Sequence, residues 1–321
     1  MLRTLLILLA CTLFPAGASA QANFPTRPVR MIVGFPPGGS SDVSARLVAE
    51  RMAAEWKQPV LVENRPGAGG TLAAAQVAAA PADGYTLLHV GPGTHAISAA
   101  MYRNLPYDAL KSFTGVGQIA VSPFVMVTSS QSQLRTIKEL LDHARANPGK
   151  VSYGSSGSGA GPHLVTEIFA AATGVQLLHV PYKGAAPAAA AALAGQVEFA
   201  TVDSASAIPH VQAGRLRALA VTTASRSPLY GGVPTVSEAG APGFAYPSAV
   251  GFLAPAGTPR EVVLKINASL NAALANEAVR TRLNGLGFEA TPMSADDFSS
   301  VIAEDVRRYG KVVRDLGLKL D

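Results

Sequence analysis

One arrangement restricts the fold more than any other: an apolar run that breaks into a loop of proline, glycine and serine and then into an amphipathic stretch. It occurs twice. In the first copy Val29-Arg-Met-Ile-Val33 reads as a short buried strand, Phe35-Pro-Pro-Gly-Gly-Ser-Ser-Asp42 as the loop, and residues 43–52 as a helix. Ser40 or Ser41 is expected to cap that helix. The second copy runs from Val151-Ser-Tyr153 through Gly154-Ser-Ser-Gly-Ser-Gly-Ala-Gly-Pro162 into a helix over 164–172. A helix start leaves its first N–H groups unpaired and carries about half a positive charge, so each loop can receive an anion without a basic side chain. Two such loops, far apart in the chain, suggest two lobes closing on one ligand.

The intervening sequence supports that division. Residues 61–64, 72–79 and 85–90 read as strand, helix and strand, which favours a parallel sheet wound by right-handed crossovers. The loops at 34–41, 66–71 and 91–95 then fall on one edge, beyond the carboxyl ends of the strands, where such sheets bind ligands. Two apolar runs within 116–129 are split by Ser122-Pro123, and the first crossing between lobes is placed there. The second lobe has its own alternation: a helix over 137–146, strands over 177–181, 197–202 and 216–222, a helix over 188–194 opened by Pro187, and a short helix over 207–212. Residues 234–247 read as irregular and 249–254 as a return strand. Helices over 259–276, 277–284 and 295–315 follow and are expected to pack back on the first lobe; Ser294-Ala-Asp-Asp297 has the form of a helix start.

Composition narrows the function. Of 321 residues 48% are hydrophobic and 15% charged, enough apolar side chain for a core in each lobe. The net charge of +5 is spread over singly placed basic residues, so no nucleic-acid partner is expected. Arg3, the apolar run 5–14, Pro15-Ala-Gly17 and Ala18-Ser-Ala20 have the order of a secretory signal peptide cut after Ala20, which predicts a periplasmic location. The run is too short to span a bilayer. Cys11, the single cysteine, lies in this leader, so the mature chain would have no thiol chemistry; Leu8-Leu-Ala-Cys11 read as a lipidation box is the alternative. The loops lack the Walker lysine, the dinucleotide glycine spacing and the Gly-x-Ser-x-Gly elbow, and there is no His-Glu-x-x-His segment. No cofactor, metal or catalytic residue is expected.

The candidate binding residues therefore lie in the loops. Phe35, Pro37, Gly38, Gly39, Ser40 and Ser41 form the first cradle. Asp42 either stabilises the helix start or accepts from a ligand. Gly70 and Thr71 open the next helix, where Thr71 serves as a cap or a contact, and Thr94 belongs to the third loop. Ser155, Ser156, Gly157, Ser158 and Gly159 form the opposing clamp. His163, one turn later, is a packing residue or a contact. Tyr182, Lys183 and Gly184 bring a counter-charge or a solvated lysine, and Asp203 ends an apolar strand as a candidate acceptor. Micromolar binding needs about 8 kcal/mol, and hydrogen bonds to a charged group contribute roughly 1.5 to 3 kcal/mol each, so four or five could suffice without a salt bridge.

Phe35-Pro-Pro-Gly-Gly-Ser-Ser-Asp42, Val62-Glu-Asn-Arg-Pro-Gly-Ala-Gly-Gly70, Pro81-Ala-Asp-Gly-Tyr-Thr-Leu-Leu88, Val180-Pro-Tyr-Lys-Gly184, Pro234-Thr-Val-Ser-Glu-Ala-Gly240 and Ala254-Pro-Ala-Gly-Thr-Pro259 together resemble the tripartite tricarboxylate transporter substrate-binding family, or Bug receptors. The resemblance covers nearly the whole mature chain. It implies an α/β type II periplasmic binding protein: two doubly wound lobes joined by two crossing strands in a Venus flytrap. The lobes would be 21–124 with 246–321, and 125–245, after a signal peptide at 1–20. It further implies a monomer that captures a small organic carboxylate and passes it to a membrane transporter of the tripartite type, or to a sensor protein. A secreted serine hydrolase is the reading from another class. Many relatives carry an aromatic residue where this chain has Pro247-Ser-Ala-Val250, so its cargo is expected to differ.

Overall fold

The computed structural model describes residues 24–102, 104–315 and 317. The expected leader, its cut after Ala20 and Cys11 lie outside the described residues. The chain forms two sheets with helices packed on them.

The first half builds β1 (Val29–Val33), α1 (Ser40–Trp56), β2 (Val60–Asn64), α2 (Thr71–Ala78) and β3 (Thr86–Val90). β1 pairs in parallel with both β2 and β3, so the loops that leave all three share one edge. A π-helical turn, Gly93–Ile97, runs directly into the short α3 (Ser98–Met101). β4 (Phe113–Ser122) belongs to this first sheet, whereas β5 (Phe124–Ser129) belongs to the second, so the chain passes between sheets at Pro123. Proline suits the passage because it has no N–H for either ladder to satisfy.

The second sheet takes α4 (Ile137–Ala146), β6 (Ser152–Ser155), α5 (Gly161–Thr173), β7 (Leu178–Pro181), α6 (Ala185–Leu193), β8 (Phe199–Asp203), α7 (Ser204–Gln212) and β9 (Leu216–Val221). Its order is β7-β6-β8-β5-β9; β6 is parallel to β7 and β8, and β5 is antiparallel to β8 and β9. α4 begins where expected because Thr136 and Glu139 cap each other reciprocally. Within the stretch read as irregular, Thr235 and Glu238 make a second such box and open the single turn α8 (Val236–Ala239).

β10 (Ser248–Pro255) returns to the first sheet between β3 and β4, antiparallel to both, because it re-enters from the other lobe. α9 (Arg260–Ala275), α10 (Glu277–Gly285) and the two-residue β11 (Glu289–Ala290) stay with the first lobe, whose order is β11-β4-β10-β3-β1-β2. The last helix, α11 (Ala295–Asp315), departs from expectation. Phe298 and Ile302 are buried with the first sheet, and a Cβ at Gly251 of β10 would collide with the Phe298 ring. Tyr309 and Val313, farther along, are buried with Phe124, Tyr153, Leu164 and Phe244 of the second lobe. Ala96, Ile97 and Met101 join the same cluster. The sequence placed this helix over 295–315 but carried no sign that its two ends serve different cores.

Candidate ligand-binding cleft

Between the lobes lies a cavity in which about 90 Å³ is open to the centre of a water-sized sphere. On that measure a single water needs about 10 to 15 Å³, so the space suits a small molecule. Four helix starts border it. Gly39 and Ser41 bring the start of α1, Ala160, Gly161 and Pro162 that of α5, Gly184, Ala185 and Ala186 that of α6, and Asp203 that of α7. Three of these starts, at Gly39, Ala160 and Gly184, have no side-chain cap. Their first N–H groups, outside any intrahelical ladder, carry the partial positive charge of the helix into the cavity. The fourth differs: Asp203 Oδ1 accepts from Ser206 N at 3.1 Å.

The expectation that Ser40 or Ser41 caps α1 is therefore corrected. Glycine occupies the cap position, and a carboxylate one turn into the helix braces the loop instead. Asp42, 4% exposed, accepts from Gly38 N at 3.0 Å through Oδ2, and from Arg46 Nε and Asn64 Nδ2, both at 2.9 Å, through Oδ1. Asn64 Nδ2 also donates to Phe35 O at 3.0 Å. Burial pushes the Asp42 carboxyl up, but the hydrogen bonds from Arg46, Gly38 and Asn64 with the guanidinium charge outweigh it and hold it below the ordinary value of 3.8. Gly38 thus spends its N–H on Asp42, and both residues stand outside the lining. Beneath the helix, Ser44 Oγ hydrogen-bonds His89 Nε2 at 3.0 Å, and burial lowers that imidazole to about 3.

The second loop is braced by imidazoles. Ser155, fully buried, hydrogen-bonds His179 Nε2 at 2.7 Å and accepts from Gly157 N at 3.2 Å. Gly159 N donates to His163 Nδ1 at 3.1 Å, which places the His163 proton on Nε2. The His163 and His179 rings stack with centroids 4.0 Å apart. Burial, and for His163 the neighbouring ring, lower them to about 3 and about 4, so both are neutral at physiological pH. Ser155 offers no exposed nucleophile, since its hydroxyl is enclosed by these bonds.

Of the expected residues, Phe35, Pro37, Gly39, Ser41, Ser156, Lys183, Gly184 and Asp203 come together around the cavity. Ser155, Gly157, Ser158, Gly159, His163 and Tyr182 are not among the lining residues; Ser155, Gly159 and His163 are buried, whereas Ser158 is exposed. Ser40 is the first residue of α1. Thr71 is not the cap of α2; Gly70 is, and its positive φ of 98° places it where a Cβ would crowd Thr94 Oγ1 at 2.9 Å. Gly70, Thr71 and Thr94 stand outside the lining, as a small-residue packing layer. Sequence reasoning missed Pro36, Gly91, Pro92, Phe124, Pro187, Ser248 and Val250, which make much of the wall. The loops at 34–41 and 91–95, the crossing at Pro123 and the departure at 247–250 pointed to the stretches that hold Pro36, Gly91, Pro92, Phe124, Ser248 and Val250, but not to the residues themselves. The lobes approach each other beside the cavity: a Cβ on Gly184 would lie 3.7 Å from Pro36 Cγ, and one on Gly69 3.5 Å from Gly159 O. Among the described residues no group of acidic, histidine or cysteine side chains could hold a metal ion.

Comparison with known proteins fits this geometry. Residues 44–318 match the profile of the tripartite tricarboxylate transporter family receptor. The chain is 35% identical over 322 residues to the protein BugT of Bordetella pertussis, covering 98% of each chain. An R. palustris protein solved with adipate superimposes with a TM-score of 0.88 at 36% identity, covering 92% of this chain and 99% of that one. MatC from Rhodopseudomonas palustris with bound malate gives 0.85 at 33% identity, covering 90% and 100%. The two-lobed periplasmic binding protein fold is shared with both structures.

Proposed function

Because the chain belongs to the tripartite tricarboxylate transporter receptor family, we propose that this solute-binding receptor captures a small organic carboxylate between its lobes and delivers it to a tripartite membrane transporter. The observation that carries the reading is the convergence of three uncapped helix starts, one from the first lobe and two from the second, on a single cavity. Unpaired main-chain donors solvate an anion without the desolvation cost that a buried arginine would add. Each hydrogen bond to the carboxylate is worth about 1.5 to 3 kcal/mol, and donors on both sides favour the closed jaw over the open one. Adipate and malate in the two solved relatives have the same chemistry at each end.

The receptor works in the periplasm after removal of residues 1–20. Its first lobe comprises 21–124 and 246–321 and its second 125–245, with binding as its whole chemistry. Calorimetric titration of ligand-stripped protein with a panel of organic acids tests the proposal, with saturable micromolar binding of at least one acid expected. Mass spectrometry of the molecule that copurifies gives an independent identification. Heatless titrations across the panel, together with a copurifying molecule that has no carboxylate, would reject it.

A further inference from the structure

We infer that the cargo carries one carboxylate and, at its other end, a hydrogen-bond donor that meets Asp203, so that the site selects amino- or hydroxy-carboxylates over dicarboxylates. The inference rests on the carboxylate reading and adds the second end of the ligand. Of the four helix starts at the cavity, those of α1 and α7 each bring a carboxylate, and among the described residues that of α7, Asp203, is the one in the lining, whereas Asp42 of α1 stands outside it. Asp203 Oδ1 is occupied by Ser206 N, whereas Oδ2 makes no hydrogen bond among the described residues. On the same first turn, Ser206 Oγ is buried without a hydrogen-bond partner among the described residues and stands outside the lining.

A negative group lining the cavity repels a second carboxylate placed beside it and attracts an ammonium or hydroxyl. Among the described residues the one side-chain cation in the lining is Lys183, which is exposed and forms no ion pair among them. The lining also includes the apolar Phe35, Pro92, Phe124 and Val250, which suit an aliphatic or flat part of the ligand. Such a site is amphoteric: open N–H groups receive the anion, and a carboxylate receives the opposite end.

Matched acids differing only at the far end test this by calorimetry: succinate, butyrate, γ-hydroxybutyrate and γ-aminobutyrate, with adipate, hexanoate and ε-aminohexanoate as the longer set. In the wild-type protein the ammonium- or hydroxyl-terminated acid of one length should bind about tenfold tighter than the dicarboxylate of that length. Asp203→Asn keeps a side chain that caps helices well, and should bring the diacid up and the amino acid down, each by about tenfold. Asp203→Ser, also a good cap, provides the same comparison if the asparagine variant melts early. Tightest binding by a dicarboxylate in the wild type, or an unchanged ratio of amino acid to diacid in both variants, would overturn the inference while leaving the carboxylate reading intact. Absence of binding by every acid in both sets would instead remove the carboxylate reading, and this inference with it.

Discussion

The loops entering α1 and α5 have similar sequences and opposite supports. Both replace basic side chains with small residues ahead of an uncapped helix start. The first is held by an ionised carboxylate, Asp42, which ties Gly38, Arg46 and Asn64 together. The second is held by neutral rings, His163 on Gly159 and His179 on Ser155. A glycine-serine loop is therefore not rigid by composition; its shape comes from the polar group behind it. The two supports also answer acid differently. Asp42 has its folded value below 3.8, so its contribution is complete above that value and is lost as pH falls through the folded one. His163 has its folded value lowered from 6.5 to about 3, so the unfolded chain takes up a proton first and stability erodes as pH drops from 6.5 toward 3.

The largest effect is expected at the carboxylate. Asp42→Ala removes three hydrogen bonds from a buried charged acceptor and should cost about 3 kcal/mol or more in urea unfolding at pH 7. Asp42→Asn keeps an acceptor and should cost about half of that, with its difference from the wild type closing in acid as Asp42 itself becomes protonated. A smaller change is expected from His163→Phe, which keeps the ring stack but frees Gly159 N. It should cost about 1 kcal/mol at pH 7.5 and lower the acid-side dependence of stability by about one proton, so the two stability curves cross at about pH 6 and the variant is the more stable below that. Equal acid slopes in the two proteins would show that the imidazole does not set the pH response of that loop. The smallest effect belongs to Lys183→Met. An exposed lysine at the rim steers anions more than it holds them, so stopped-flow association should slow a few-fold at low salt and match the wild type at high salt.

Local signals explain what was legible in the sequence. α4 was placed at both ends: Asn147-Pro-Gly149 is a local stop signal, and the start coincides with the reciprocal capping of Thr136 and Glu139, all within a few residues. The parallel order of β1, β2 and β3 followed from short joints between strands and helices. The cap of α1 was misread because a serine after two glycines is an ordinary cap, whereas the bracing carboxylate works from inside the helix and needs Asn64 on another strand. The wall of the cavity was largely hidden, since Pro92, Phe124, Pro187 and Val250 come from four separate stretches. Pro92 and Val250 fall in stretches the sequence did single out, 91–95 and 247–250, and Pro187 was read only as a helix opener, but no residue motif marked any of the four as wall. The π turn at Gly93–Ile97 was hidden as well; His95 Nδ1 donates back to Gly91 O at 2.9 Å, a local bond from a side chain to the loop before the turn that apolar spacing does not reveal.

The reach of α11 across both lobes bears on how the molecule comes apart. Its far end, with Tyr309 and Val313, finishes the interior of the second lobe together with Ala96, Ile97 and Met101 from the first. A fragment spanning 125–245 would carry an unsealed apolar wall, and a chain cut before residue 309 would leave that wall open from the other side. Neither half is a self-sufficient folding unit, and heating should melt them in one cooperative step rather than two.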